Sequence, residues 1–236
     1  MKLSTAKITL NLALICFTFN SYSQEKTSKP YNKTQVFVSI GVSKPTLSEG
    51  EELLRSKKLR DQHLSYFENS SGDRKNVGSY ADLFGWNIGL GFYKPIRSVE
   101  RLMWGSEINL SLTGSTPSDG NEEAYYFNYI SFNFGLKYYP LPTTNLFLKG
   151  NFGIGNVMTK NRFINEEGGQ NFQHFFGLGL NGTAAIGYSF PLKTKILSAI
   201  EASAEYKLSN PRVEVNGIGN DNWQHSSLDF RLAFIF

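Results

Sequence analysis

The sequence predicts an all-β fold: an eight-stranded antiparallel transmembrane β-barrel with short periplasmic turns and longer extracellular loops. Three observations predict it. Eight segments alternate apolar and polar residues with period two, the pattern of strands with lipid on one side and a polar lumen on the other. The connectors between them alternate short and long. The last segment sets Leu228, Phe230, Leu232, Phe234 and Phe236 against Asp229, Arg231 and Ala233, a density of aromatics on one face that a soluble sheet would have to cover.

The first strand is expected over 35–43, with Val36, Val38, Ile40 and Val42 on one face. The second, 85–93, carries Trp86, Ile88, Leu90 and Phe92 opposite Asn87, Gly89 and Gly91. The third, 102–114, sets Trp104, Ile108, Leu110 and Leu112 against Glu107, Asn109 and Ser111. The fourth, 126–139, sets Ile130, Phe132, Phe134, Leu136 and Tyr138 against Ser131, Asn133, Gly135 and Lys137. The fifth, 145–155, opposes Leu146, Leu148, Phe152 and Ile154 to Lys149, Asn151 and Gly153. The sixth, 172–190, is the longest, with Phe176, Leu178, Leu180, Ala184, Ile186, Tyr188 and Phe190 on one face. The seventh, 196–208, places Ile200, Ala202, Ala204, Tyr206 and Leu208 opposite Glu201, Ser203, Glu205 and Lys207. The eighth is 223–236. No spanning helix competes with these segments, because barrels carry their apolar face in alternation and not in one continuous run.

Short links follow the even-numbered strands, near Pro95, Pro140, Pro142 and Pro191. Longer ones follow the odd-numbered strands, at 44–84, 115–125, 156–171 and 209–222. With the N-terminus in the periplasm, every connector falls on the side that an outer-membrane barrel requires. Glu107, Lys137, Lys149, Glu201, Glu205, Lys207, Asp229 and Arg231 all point into the lumen on this parity. Eight strands leave room inside for side chains and little else, so these charges are expected to pair as a plug. Tyr125, Tyr126, Tyr138, Tyr139, Tyr188 and Phe190 lie near strand ends, where aromatic rings suit the membrane interface.

The start of the chain supports export. Lys2 and Lys7 precede an apolar run over 8–19, and Ser21, Tyr22 and Ser23 lead to an expected cut before Gln24, as in a secretory signal peptide. The division is therefore signal peptide 1–23, a short periplasmic N-terminal segment 24–34, and an outer-membrane barrel domain 35–236. Cys16 is the sole cysteine and would leave with the signal; Ile15 before it is too large for a lipidation site. The mature chain then has no disulfide, thiolate metal site or cysteine nucleophile. Its formal charge of +4 includes two signal-peptide lysines, so the remainder is close to neutral and gives no nucleic-acid footprint. A mean hydropathy of −0.30 alongside 14% aromatics suits a polar lumen ringed by aromatic girdles.

The residues 129–139 (Tyr-Ile-Ser-Phe-Asn-Phe-Gly-Leu-Lys-Tyr-Tyr) and 146–153 (Leu-Phe-Leu-Lys-Gly-Asn-Phe-Gly) resemble the middle of PorT-like outer-membrane β-barrel proteins, a porin-family group. The segments 177–188 and 200–206 and the terminal strand fit the same pattern. The resemblance implies an outer-membrane location but carries no specific role. The terminal Phe236 also resembles the signal by which such barrels are handed to the barrel-assembly machinery. Outer-membrane lipid and lipopolysaccharide are the other expected partners. Loop 44–84 is long for a connector. Its stretch 49–60, with Ser48 as cap, has the make-up of a short amphipathic helix; a solvated variable loop is the favoured reading, with capping of the barrel or contact with an envelope protein as the alternatives.

Chemistry-bearing patterns are few. Gly177-Leu178-Gly179-Leu180-Asn181-Gly182 matches a dinucleotide fingerprint, but that motif works only where a strand yields to a helix, and here alternation continues to Phe190. His225 and Ser227 form a His-x-Ser pair of the sort used by lipid A hydrolases. Parity turns both toward the lumen and away from acyl chains. His63, His174 and His225 lie on separate segments, so no metal site is expected. Glu122-Glu123 and Glu166-Glu167 are loop acids able to hold calcium only loosely. Trp223 is a candidate interface anchor or sugar-binding residue. No catalytic, cofactor-binding or metal-ligating residue is assigned. The function expected is a non-enzymatic barrel, structural or partner-binding through its loops, accessory to export or adhesion. The alternatives are a lipid A-modifying hydrolase using His225 and Ser227, and a narrow solute channel.

Overall fold

The computed structural model describes residues 29–47, 84–115, 125–164, 170–192, 194, 196–215 and 219–236. The expected signal peptide 1–23, the stretch 49–60, His63 and the acid pairs Glu122-Glu123 and Glu166-Glu167 lie outside them. So does the expected segment 24–34 before residue 29.

The strands are β1 (Gln35–Leu47), β2 (Phe84–Pro95), β3 (Leu102–Ser115), β4 (Tyr125–Tyr138), β5 (Leu146–Ile164), β6 (Gln170–Pro191), β7 (Ala199–Val215), β8 (Gly219–Asn222) and β9 (His225–Ile235). Each pairs antiparallel with the next from β1 to β7, β7 pairs with β9, and β9 returns to β1. The sheet is thereby closed into an eight-stranded barrel with no open edge along its wall. β8 is a short piece of the last hairpin, laid against β7 with Arg212 opposite Asn222.

Register carries one parity around the whole wall. Even residues face out: Val38 is opposite Leu90 and Phe234, Ile108 opposite Phe132, and Phe132 opposite Ile154. Their large apolar side chains stand exposed on the outside of the isolated chain, Phe152 at 62% and Tyr138 at 37% among them. Odd residues face in and are buried, polar and charged ones included. Such a chain turns the usual burial rule inside out, which is stable only in an apolar solvent.

Three strands run well past their expected ends. β5 runs nine residues past its expected end at 155, and β7 runs seven past 208. The expected links 156–171 and 209–222 are therefore largely strand, with Lys160 opposite His174 and Arg212 opposite Leu178. At roughly 3.3 Å per residue, the 22 residues of β6 are about twice what a lipid crossing needs. Beyond the lipid the outer face meets water, so outward residues such as Asn210, Arg212 and Glu214 are polar and the alternation that marks a strand fades from the sequence, while the inward Phe175 and Val213 stay buried. β1 likewise extends to Leu47.

The three short connectors, 96–101, 139–145 and 192–198, share one end of the barrel with the N-terminal segment. A 3-10 turn, Pro30–Asn32, sits there and sends Tyr31 into the barrel, 5% exposed.

Candidate functional site

Among the described residues the lumen is where the fold concentrates polar chemistry, and it is filled in three layers. At the turn end, Tyr31, Phe37, Tyr93, Met103, Tyr139, Phe147, Ala199 and Ile235 form an apolar plug. Phe37 stacks on Tyr93 at 6.0 Å, and Tyr139 lies between Tyr31 at 5.4 Å and Phe147 at 5.9 Å. Tyr139 was expected at the membrane interface. It is fully buried instead, because its odd number puts it on the lumenal face.

The middle layer is ionic. All eight charges expected in the lumen are buried there, and each has an opposite partner. Lys137 Nζ meets Glu201 at 2.6 Å, and Lys149 lies between Glu205 at 2.6 Å and Glu107 at 3.2 Å. Arg231 meets Glu205 at 2.8 Å and Glu107 at 3.6 Å, and Lys207 pairs with Asp229. Four cations balance four carboxylates, so the belt is neutral as a whole. Neutral groups complete the shell: Asn109 donates to Glu107 at 2.8 Å, Ser43 to Asp229 at 2.6 Å, and Arg231 to Ser39.

Lys137 joins the two layers. Its ammonium donates to Gln35 Oε1 at 2.8 Å and stands over the rings of Phe147, Tyr93 and Tyr139 at 4.4, 5.5 and 5.6 Å. A desolvated cation among aromatic faces gains from each ring quadrupole. A cavity of about 20 Å³ remains between plug and belt, lined by Phe37, Lys137, Glu201, Arg231 and their neighbours; that is room for about one water.

Glycine makes space for the belt. A Cβ on Gly89 would run into the Arg231 guanidinium and come 2.6 Å from Asn109 Oδ1 and 2.7 Å from Ser39 Oγ. Within the glycine-rich stretch of β6, a Cβ on Gly177 would meet Val213 Cγ2 at 2.6 Å. The strand runs unbroken through 177–182; Gly177 and Gly179 relieve crowding against β7, whereas a Cβ on Gly182 would find nothing nearer than Asn151 O at 3.8 Å.

The outer layer closes the loop end. Phe127 stacks on Tyr129 at 6.2 Å, and the His225 ring lies 4.5 Å from Phe127 and 5.3 Å from Tyr129. Phe175 and Trp223 meet at 5.4 Å, with Trp223 fully buried. Trp223 is therefore a lumen plug residue and not an interface anchor, as its odd number dictates.

His225 and Ser227 both face the lumen, each 3% exposed. The hydroxyl that meets His225 Nδ1, at 2.9 Å, belongs to Ser209 of the neighbouring β7 and not to Ser227. Among the described residues no group of three or more His, Cys, Asp or Glu side chains is arranged to hold a metal ion.

Solved structures similar to this chain are bacterial outer-membrane barrels. Ail, the attachment invasion locus protein of Yersinia pestis, is 13% identical over 86% of this chain and 99% of its own, with a TM-score of 0.48. Neisserial surface protein A is 13% identical over 86% of this chain and 97% of its own, with a TM-score of 0.40. The outer membrane protein OprG from Pseudomonas aeruginosa is 9% identical over 88% and 98%, also at 0.40. At these scores they carry no argument about what the chain does. No family model matches the sequence, and no curated protein does.

Proposed function

We propose that this protein is a non-enzymatic barrel of the bacterial outer membrane that acts through its exposed loop end, as a structural or partner-binding element accessory to export or adhesion. The carrying observation is the inverted burial: large apolar side chains outside, and a fully paired ionic belt inside. Only lipid on the outside makes that arrangement stable. The extended β5–β6–β7 sheet beyond the lipid supports the loop-end role, since it holds backbone well clear of the membrane.

The plugged lumen favours a structural reading over a channel. The bonding of His225 to Ser209, in a layer roofed by aromatic rings, favours it over a hydrolase acting on acyl chains outside the wall. The likeness to PorT-like barrels belongs to this proposal and rests on the strand residues alone. Export by a cleaved signal peptide and delivery by the barrel-assembly machinery complete it.

The test is the native protein in its own envelope. It is expected in the outer-membrane fraction, and to migrate at a different apparent size on electrophoresis before and after boiling. Recovery from the soluble periplasm, or a single boiling-independent band, overturns the proposal.

A further inference from the structure

The turn end carries a charge pattern that the lumen does not use. Among its described residues are Lys29, Lys33, Lys94, Arg97 and Arg101, against Glu100 as the one acidic side chain. Lys29, Lys33, Lys94 and Arg97 are exposed, and none of them is ion-paired among the described residues. Arg101 is tied into the wall by its bond to Pro140 O at 3.1 Å. The opposite end shows no such excess: the connectors 44–84, 115–125, 156–171 and 209–222 together carry ten basic and fourteen acidic residues.

Position fixes the depth of these cations. Lys94 is opposite Trp104 in register, and Trp104 packs edge-on against Phe92 at 5.9 Å. With Tyr138, and with Tyr188 and Phe190 whose rings meet at 4.9 Å, they form an aromatic girdle at the turn edge of the apolar wall. Aromatic belts mark the border of hydrocarbon and headgroup. Lys33 adjoins the same edge, two residues before Gln35, which is opposite Tyr93. Arg97 lies in a connector of six residues, 96–101, too short to leave the headgroup layer.

Each short turn also bears an exposed apolar residue: Val99 at 46%, Leu141 at 47% and Ile196 at 76%. A soluble anionic partner would call for the cations alone. A bilayer border takes both, with phosphate at the cations and acyl carbons at the apolar tips.

We propose that the turn end is a binding rim for anionic phospholipid headgroups of the facing leaflet, with Lys33, Lys94 and Arg97 as its phosphate-contacting residues. This rests on the outer-membrane reading above. Lipid bound there would anchor the barrel's depth and orientation from the periplasmic side.

Trp104 reports on this rim directly. In a chain bearing Trp86→Phe, it is the remaining lipid-facing tryptophan, because Trp223 is buried. The full barrel is reconstituted in phosphatidylcholine vesicles containing brominated phosphatidylglycerol or brominated phosphatidylcholine. Quenching of Trp104 is expected to show about a five-fold preference for the anionic lipid, which falls with salt. The preference is expected to vanish in Lys33→Gln/Lys94→Gln/Arg97→Gln. Equal quenching by both lipids, or a preference unchanged in the triple variant, overturns the rim. Tight binding of a soluble peptidoglycan fragment in place of lipid selectivity overturns it too. The gel shift on boiling is read on the same samples. A barrel that shifts without lipid preference sinks only the rim, whereas failure to insert sinks the outer-membrane reading.

Discussion

Glu205 shows what a buried charge costs and how the fold meets that cost. Its carboxylate is held by Lys149 at 2.6 Å, by Arg231 at 2.8 Å and by Ser203 Oγ at 3.2 Å. Neutralising it leaves two cations in a narrow lumen with only Glu107, at 3.2 and 3.6 Å, to serve both. Glu205→Gln is therefore expected to lower stability by about 3–5 kcal/mol, read by urea unfolding in neutral vesicles. A change under about 1 kcal/mol, the value of an exposed pair, would mean that the belt is wet and loosely held. That Glu205 faces the lumen was legible from Ile200, Ala202, Ala204 and Tyr206 beside it. Its partners were not, because they lie on β5 and β9 and depend on how the wall closes.

A strand here is a two-sided object, and its two sides obey different solvents. β4 sets Ile130, Phe132, Phe134 and Leu136 outside and Ser131, Asn133 and Lys137 inside. Phe132 sits mid-strand between Ile108 and Ile154, so Phe132→Arg is expected to cost about 2–4 kcal/mol, the price of a cation near mid-bilayer. The same urea unfolding measures it, and a neutral result would place β4 away from lipid. The expected strands matched this behaviour wherever lipid enforces it. They stopped short on β5 and β7; on β7, Asn210 and Arg212 stand exposed on the outer face, and the two-residue rhythm no longer carries information. Tyr139 and Trp223 show the converse error: both are aromatics near strand ends, and parity outweighed that position.

As a whole the molecule is a closed cylinder stopped at both ends and cross-linked by ion pairs between. Tyr31 and its neighbours close the turn end, Phe127, Phe175 and Trp223 close the loop end, and the cavity between plug and belt has room for about one water. Purified barrel in a planar bilayer is accordingly expected to show no unitary conductance steps. Reproducible ion-selective steps would reinstate the narrow channel. Such a body offers its surroundings only its surfaces: an apolar wall, a basic rim at the turns, and the raised sheet at the loops.

The sequence by itself determined the sidedness of nearly every wall residue. Side-chain direction along a strand has a period of two, and lipid outside with polar groups inside writes that period into residue type. It thereby settled that Asp229 and Arg231 face inward with His225 and Ser227. Only the tertiary structure decided who meets whom. Ser209 reaches His225, Glu205 bridges Lys149 and Arg231, and Tyr31 enters the barrel mouth. Those contacts join residues far apart in the chain, and closure and register of the sheet set them, neither of which is a local property.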